Sequence, residues 1–183
     1  MTTQSSAVIS HHSGTFPERA GLTRHLVAGA IAGQIAGLIM AAVVMLVFTI
    51  FLGKGPIYPV QVIGSFVYGD AALQGFHLPA FLMGLVLHQL GPSLFWGIVF
   101  GALMYGFRIH SGSGLFLFCV ALGLLTQVVD VNLIMPYAMT ALHGHDIWAE
   151  QVPAFWSWAA HLVFGLGLLV FPKVVDRLNR SKA

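Results

Sequence analysis

Four long apolar stretches, roughly Leu26–Leu52, Pro79–Phe107, Ser113–Met135 and Pro153–Pro172, fill most of the chain and are separated by shorter polar segments. A bilayer core about 30 Å thick needs about 20 helical residues at 1.5 Å each, so every stretch predicts a membrane-spanning helix. The turn Arg108–Gly112 is short and rich in Gly and Ser, which makes the second and third spans an antiparallel hairpin. The segment Gly53–Leu78 is longer. Pro59 can open a helix there, Val60, Ile63, Val67 and Ala71 recur at helical spacing while Gln61 and Ser65 face elsewhere, and Gly75 can end it. The pattern predicts a short amphipathic helix on the outer interface, placed to act as a lid; its polar residues argue against a re-entrant segment. The expected fold is all-α: a polytopic four-transmembrane-helix bundle with a short external interfacial helix. Its parts are a tail over 1–25, a transmembrane domain over 26–172 and a basic tail over 173–183.

Composition agrees. Of 183 residues, 57% are hydrophobic and only 8% charged, against about 25% charged in a soluble domain, so lipid must cover much of the surface. A net charge of +2, concentrated at the ends, excludes a nucleic-acid partner. The single cysteine, Cys119, excludes an intramolecular disulfide and any cysteine-based zinc cluster.

Orientation follows from the basic residues. Arg19 and Arg24 precede the first span, Arg108 lies between the second and third, and Lys173, Arg177, Arg180 and Lys182 follow the fourth. Only Lys54 lies on the other side, which places both termini in the cytoplasm of a cell with the chain in its inner membrane. Trp148, Trp156, Trp158, Tyr58, Tyr68 and Tyr137 gather near the external ends, as an interfacial aromatic belt does. The first apolar run is too long for a signal h-region and no Ala-x-Ala site follows it, so it reads as a retained anchor. Residues Met1–Phe16 read as a solvated tail, in which His11 and His12 offer at most weak metal binding.

Small residues mark a packing face. Gly29, Gly33, Gly37 and Ala41 recur every four residues in the first span, and Gly97 and Gly101 answer them in the second. A close helix–helix contact near the cytoplasmic side is expected, with a homo-oligomer interface as the alternative use of the same face.

Polar groups gather in the outer half. His88, Gln127, Asp130 and His161 lie about six to nine residues inside the external boundary, a depth of roughly 9–14 Å, so three helices present them in one layer. Gly84, His88 and Gly91 share a stripe, as do Cys119, Gly123, Thr126, Gln127 and Asp130, and again Ser157, His161 and Gly165. Pro92 predicts a kink beside His88 that would widen a pocket. The recurrence Phe81, His88, Gly91 and Phe155, His161, Gly165 suggests two related hairpins about an axis along the membrane normal.

Several chemistries fit this layer. Two facing imidazoles suit a haem b, imidazoles with a carboxylate suit copper or zinc, and His with Asp can accept the protons of a quinol. Polar pairing that merely ties helices together is the remaining reading. A second candidate is the loop run His143-Gly144-His145-Asp146, whose alternate histidines could meet one metal ion with Glu150 or His77 completing the shell, or could simply be solvated. Asp70 reads as a cap or a water-facing residue.

The chain contains no Gly-rich phosphate loop, HExxH, GxSxG or catalytic cysteine pair, so nothing marks it as an enzyme. The Ala/Gly-rich first helix, with the run His88-Gln89-Leu90-Gly91-Pro92-Ser93-Leu94-Phe95-Trp96-Gly97, resembles small uncharacterised four-helix inner-membrane proteins of bacteria. That resemblance implies fold and location only. Two functions are expected: a small non-catalytic subunit of a larger membrane complex, of the electron-transfer kind, or a haem-, metal- or quinone-binding membrane protein using His88, His161, Asp130 and Gln127.

Overall fold

A computed structural model describes residues 21–109 and 111–180; His11, His12, Arg19 and Lys182 lie outside them. The described residues are all-helical, and four helices are long and apolar enough to cross a membrane. These are α1 (Leu22–Phe51), α3 (Leu78–Phe107), α4 (Gly112–His143) and α6 (Ala154–Arg180). Two shorter helices, α2 (Tyr58–Tyr68) and α5 (Ile147–Gln151), lie at one end of the bundle, and both chain termini leave from the other. Large apolar side chains such as Leu38, Ile50, Leu82, Leu90, Phe95, Leu117 and Leu125 stand exposed around the outside, as a lipid-facing surface requires.

The termini end is held by backbone contact. A Cβ on Gly29 would collide with the Gly97 carbonyl oxygen, and one on Gly33 with the Ser93 carbonyl oxygen and the Gly97 Cα. Gly97 and Gly101 are as tightly met from the other side. The predicted seam between the first and second spans is therefore present. Only van der Waals packing and polar contacts draw helices together in lipid, where small residues allow the closest approach. A second seam went unread in the sequence: the opposite stripe of α1, Ala28, Ala32 and Ala36, is fully buried, and a Cβ on Gly167 of α6 would strike Ala36. Gly123 of α4 and Gly165 of α6 form a third. Phe100, Phe118 and Phe171 fill the space left between helices, with ring centroids 5.7 and 5.2 Å from Phe100.

Three boundaries differ from the sequence expectation. Helix α4 continues past Met135 to His143, although Pro136 lacks an N–H and its ring crowds the carbonyl four residues back. The chain accommodates this by widening to a π-helical stretch, Gln127–Ile134, just before the proline. Helix α6 likewise passes Pro172 and ends at Arg180, after a tightened 3-10 turn at Leu168–Val170. The basic segment from Lys173 is thus not a tail as far as Arg180: Phe171, Val174 and Val175 are buried and Arg24 donates to Asn179 Oδ1.

The third difference is the rotation of α2. Gln61 and Ser65, expected to face elsewhere than the stripe Val60, Ile63, Val67 and Ala71, are 2% and 0% exposed, whereas Val67 is 49% exposed. Gln61 Nε2 donates to the carbonyls of Ala72 and Gly75, and Ser65 Oγ to that of Val62 at 2.7 Å. The Gln61 amide thus satisfies the turn that follows the helix, and the Ser65 hydroxyl a carbonyl within it. Gly64 and Gly84 bring α2 into backbone contact with the first half of α3.

Gly33→Leu is expected to lose about 2–3 kcal/mol or more through forced separation of α1 and α3. Gly106→Ala, where a Cβ meets nothing within 4 Å, should gain about 0.5–1 kcal/mol. The midpoints of unfolding in a denaturing detergent titration check both, and equal midpoints would refute the seam.

Candidate functional site

Between the packed termini end and a small apolar cluster of Phe48, Val62 and Val152 at the α2 end lies a cavity of about 500 Å³. Its volume falls within the roughly 300–1,000 Å³ of small-molecule sites. The wall is almost wholly apolar, with Met40, Val44, Leu85 and Phe164 among its residues. His88, Asp130 and His161 all reach it, so the structure brings together three of the four polar residues singled out in the layer. The fourth, Gln127, is buried beside it as a helix tie: Ser157 Oγ donates to its Oε1 at 2.8 Å, and its Nε2 donates to Asn132 Oδ1 at 3.0 Å.

Each cavity side chain has a positional cause. His88 is the last residue before a π-helical turn, Gln89–Ser93, that contains Pro92 and has Gly91 at φ −78°, ψ −108°. The predicted kink is therefore present, and it turns the two halves of α3 apart at His88. Asp130 sits within the π-helical stretch of α4, where the Trp96 indole Nε1 donates to its Oδ2 at 2.8 Å. His161 lies four residues before Gly165, in the seam that fixes α6 against α4.

The tautomers follow from the hydrogen bonds. His88 Nε2 lies 3.1 Å from the Gly37 carbonyl oxygen and His161 Nδ1 lies 2.9 Å from that of Ser157. A carbonyl only accepts, so these nitrogens carry the protons. His88 Nδ1 and His161 Nε2 are then left as lone-pair acceptors without a hydrogen-bond partner among the described residues. Asp130 adds a carboxylate oxygen, Oδ1, that no described side chain engages. Ser93 Oγ, Trp148 Nε1 and both amide atoms of Gln89 are unpartnered among the described residues, but they are buried away from the cavity surface, with Ser93 Oγ and Gln89 packed against Gly37. The sequence signals for these were weak: Ser93 follows the kink proline, and Trp148 was read only as part of the aromatic belt.

The loop residues are placed differently. His145 uses both ring nitrogens on carboxylates, Nδ1 at 2.7 Å from Glu150 Oε1 and Nε2 at 3.1 Å from Asp70 Oδ2. Asp146 caps α5 by accepting from the Ala149 N–H at 3.1 Å, and His143 Nε2 donates to the Phe66 carbonyl at 3.1 Å. His77 accepts from the Ala80 N–H at 3.0 Å and so caps α3. His143, His145, Asp146 and Glu150 therefore do not converge on a point, and no group of three or more His, Cys, Asp or Glu among the described residues is arranged to hold a metal ion. What the loop forms instead is an ionic bridge from α5 to the turn after α2.

No family model, curated protein or solved structure matches the chain.

The Glu150 carboxylate first, and Asp70 second, raise the His145 pKa above its ordinary value of about 6.5. The bridge contribution is therefore fully present below that ordinary value and disappears as pH rises through the higher folded value. A proton NMR titration of the His145 ring should show the raised midpoint. Glu150→Gln should lower it further than Asp70→Asn; a midpoint unmoved by either would remove the bridge.

Proposed function

We propose that this chain is a membrane protein that binds a lipophilic quinol in the cavity between its helices. In this reading it spans the cytoplasmic membrane with its termini inside and its cavity in the outer half. The observation that carries the proposal is the set of acceptors on an apolar wall: the free nitrogens of His88 and His161 and the free oxygen of Asp130. Ordinary quinone carbonyls need donors, whereas a quinol presents two hydroxyl donors on an apolar ring, matching acceptors of this kind. In an apolar surround, leaving such groups unpaired is unfavourable, so a ligand that pairs them gains accordingly.

Other chemistries of the same layer gain less support. A haem held by two histidines wants both lone pairs aimed at one iron, yet His88 has its Nε2 turned to Gly37 and keeps only Nδ1, the nitrogen crowded by its own backbone. Copper would need a third ligand converging with the imidazoles, and no group of three His, Cys, Asp or Glu among the described residues is arranged to hold a metal ion. Structural pairing accounts fully for Gln127 but for only half of each histidine. A subunit role in a larger electron-transfer assembly is compatible with quinol binding and adds no requirement at this site.

The test uses the quenching of intrinsic fluorescence, since Trp96, Trp148 and Trp156 line the cavity. Anaerobic titration of the purified protein with a decyl-tailed benzoquinol should give saturable quenching. His161→Phe, which keeps the ring volume and removes the acceptor, should weaken binding by about tenfold, or about 1.4 kcal/mol. Non-saturable quenching, or affinity unchanged in both His161→Phe and His88→Phe, would rule the reading out.

A further inference from the structure

We infer that the cavity is entered sideways from the bilayer, through a window between α3 and α4, and that its ligand keeps a long apolar tail in the lipid. The inference rests on the quinol reading for the identity of the headgroup but not for the window itself.

The route to water is closed at the α2 end. Phe48, Val62 and Val152 pack together there, Phe51 stacks on Trp156 with centroids 5.2 Å apart, and the Tyr58 hydroxyl donates to Gln151 Oε1. The termini end is closed by the glycine and alanine seams. On the side between α3 and α4, Phe118 of α4 packs on Phe100 and Phe107 of α3 at the termini end, and hydrogen bonds tie this side at two further levels. Below, Trp96 donates to Asp130; above, His143 holds the Phe66 carbonyl of α2, which in turn packs on α3. Between those ties, residues 78–93 of α3 and 127–143 of α4 make no extensive backbone packing with each other. Gly91 and Pro92 line the cavity from α3 and are exposed, and Val131 and Met135 line it from α4 and are half-buried.

A common cause bows both sides of the window. Each is a π-helical stretch beside a proline, Gln89–Ser93 containing Pro92 and Gln127–Ile134 preceding Pro136. A proline removes one backbone hydrogen bond and pushes its helix off axis, and two such sites facing each other hold the helices apart at one depth. Because the window opens to lipid, a tail can stay in the medium it already occupies. Lengthening the tail should then leave membrane-referenced affinity unchanged, whereas a sealed cavity would reject it.

The experiment compares a tailless dimethoxy-methyl-benzoquinol with its decyl- and long isoprenoid-tailed forms in reconstituted vesicles. The window predicts affinities, referred to membrane concentration, equal within about threefold across the series. Leu87→Phe combined with Val131→Phe, which narrows the window from both sides, should weaken the tailed forms by at least about tenfold and spare the tailless one, equivalent to about 1.4 kcal/mol. Leu133→Phe, on the exposed face of α4 away from the cavity, should change nothing. Tailless binding with tailed forms excluded in the unmodified protein, or tailed forms indifferent to the double variant, overturns the window and leaves the quinol reading standing. If no quinol binds, that reading fails, and a second measurement decides the window alone. With Trp148, Trp156 and Trp158 changed to Phe, acyl-brominated phosphatidylcholine should quench buried Trp96, and the double variant should relieve the quenching. Absence of quenching, or quenching that the double variant leaves intact, overturns it.

Discussion

The backbone contact between α1 and α3 at Gly29, Gly33, Gly97 and Gly101 is the constraint from which the shape of the molecule follows. With no side chains between them, these helices are pinned together near the termini, and α1 is pinned again on its alanine side by α6. Helices fixed so closely at one end must either stay in contact along their length or separate where a kink permits. Gly37 already meets the Ser93 side chain rather than a backbone, and at Gly91 the first half of α3, Leu78–His88, turns away. The cavity begins at that level, with His88 at its floor. The same small residues that close one half of the bundle thus set where the other half opens.

Within so apolar a bundle each buried polar side chain needs a partner, and most of those here have a structural one. Gln61 holds the turn after α2, Ser65 donates to the Val62 carbonyl within it, Gln34 donates to the Gln89 carbonyl at 2.6 Å beside the kink, and Thr126 donates to the Gly123 carbonyl at 2.7 Å. Gln127 joins α4 to α6. Against this background the incomplete pairing of His88, His161 and Asp130 is informative because all three line one cavity. The other unpartnered groups, Ser93 Oγ, the Gln89 amide and Trp148 Nε1, are buried away from its surface; acceptors that converge on a cavity wall are what a ligand would meet.

The sequence was most readable where spacing alone determines geometry. Four-residue glycine repeats located the α1–α3 seam, Pro92 located the kink, and counting depth along each span placed His88, Asp130 and His161 in one layer. It was less readable where two effects compete. The apolar runs stop at Met135 and Pro172, but a π-helical widening and a 3-10 turn let both helices continue, a choice made by packing rather than by local preference. The facing of α2 was misread because helical spacing carries no sign that the Gln61 amide meets the Ala72 and Gly75 carbonyls and is buried with them. The histidine-rich loop suggested a shell of ligands, yet spacing carries no information about Asp70, seventy-five residues away, which takes the second nitrogen of His145.

The lining of the cavity itself weighs between a structural and a binding role. The wall is lined mainly by Val, Leu, Phe and Met, with His88, Asp130 and His161 confined to one layer, so water would find few partners over most of the space. An apolar body suits most of that wall and a polar group suits the one layer. An amphipathic molecule combines the two, which is why the shape of the cavity weighs toward the binding reading over the purely structural one.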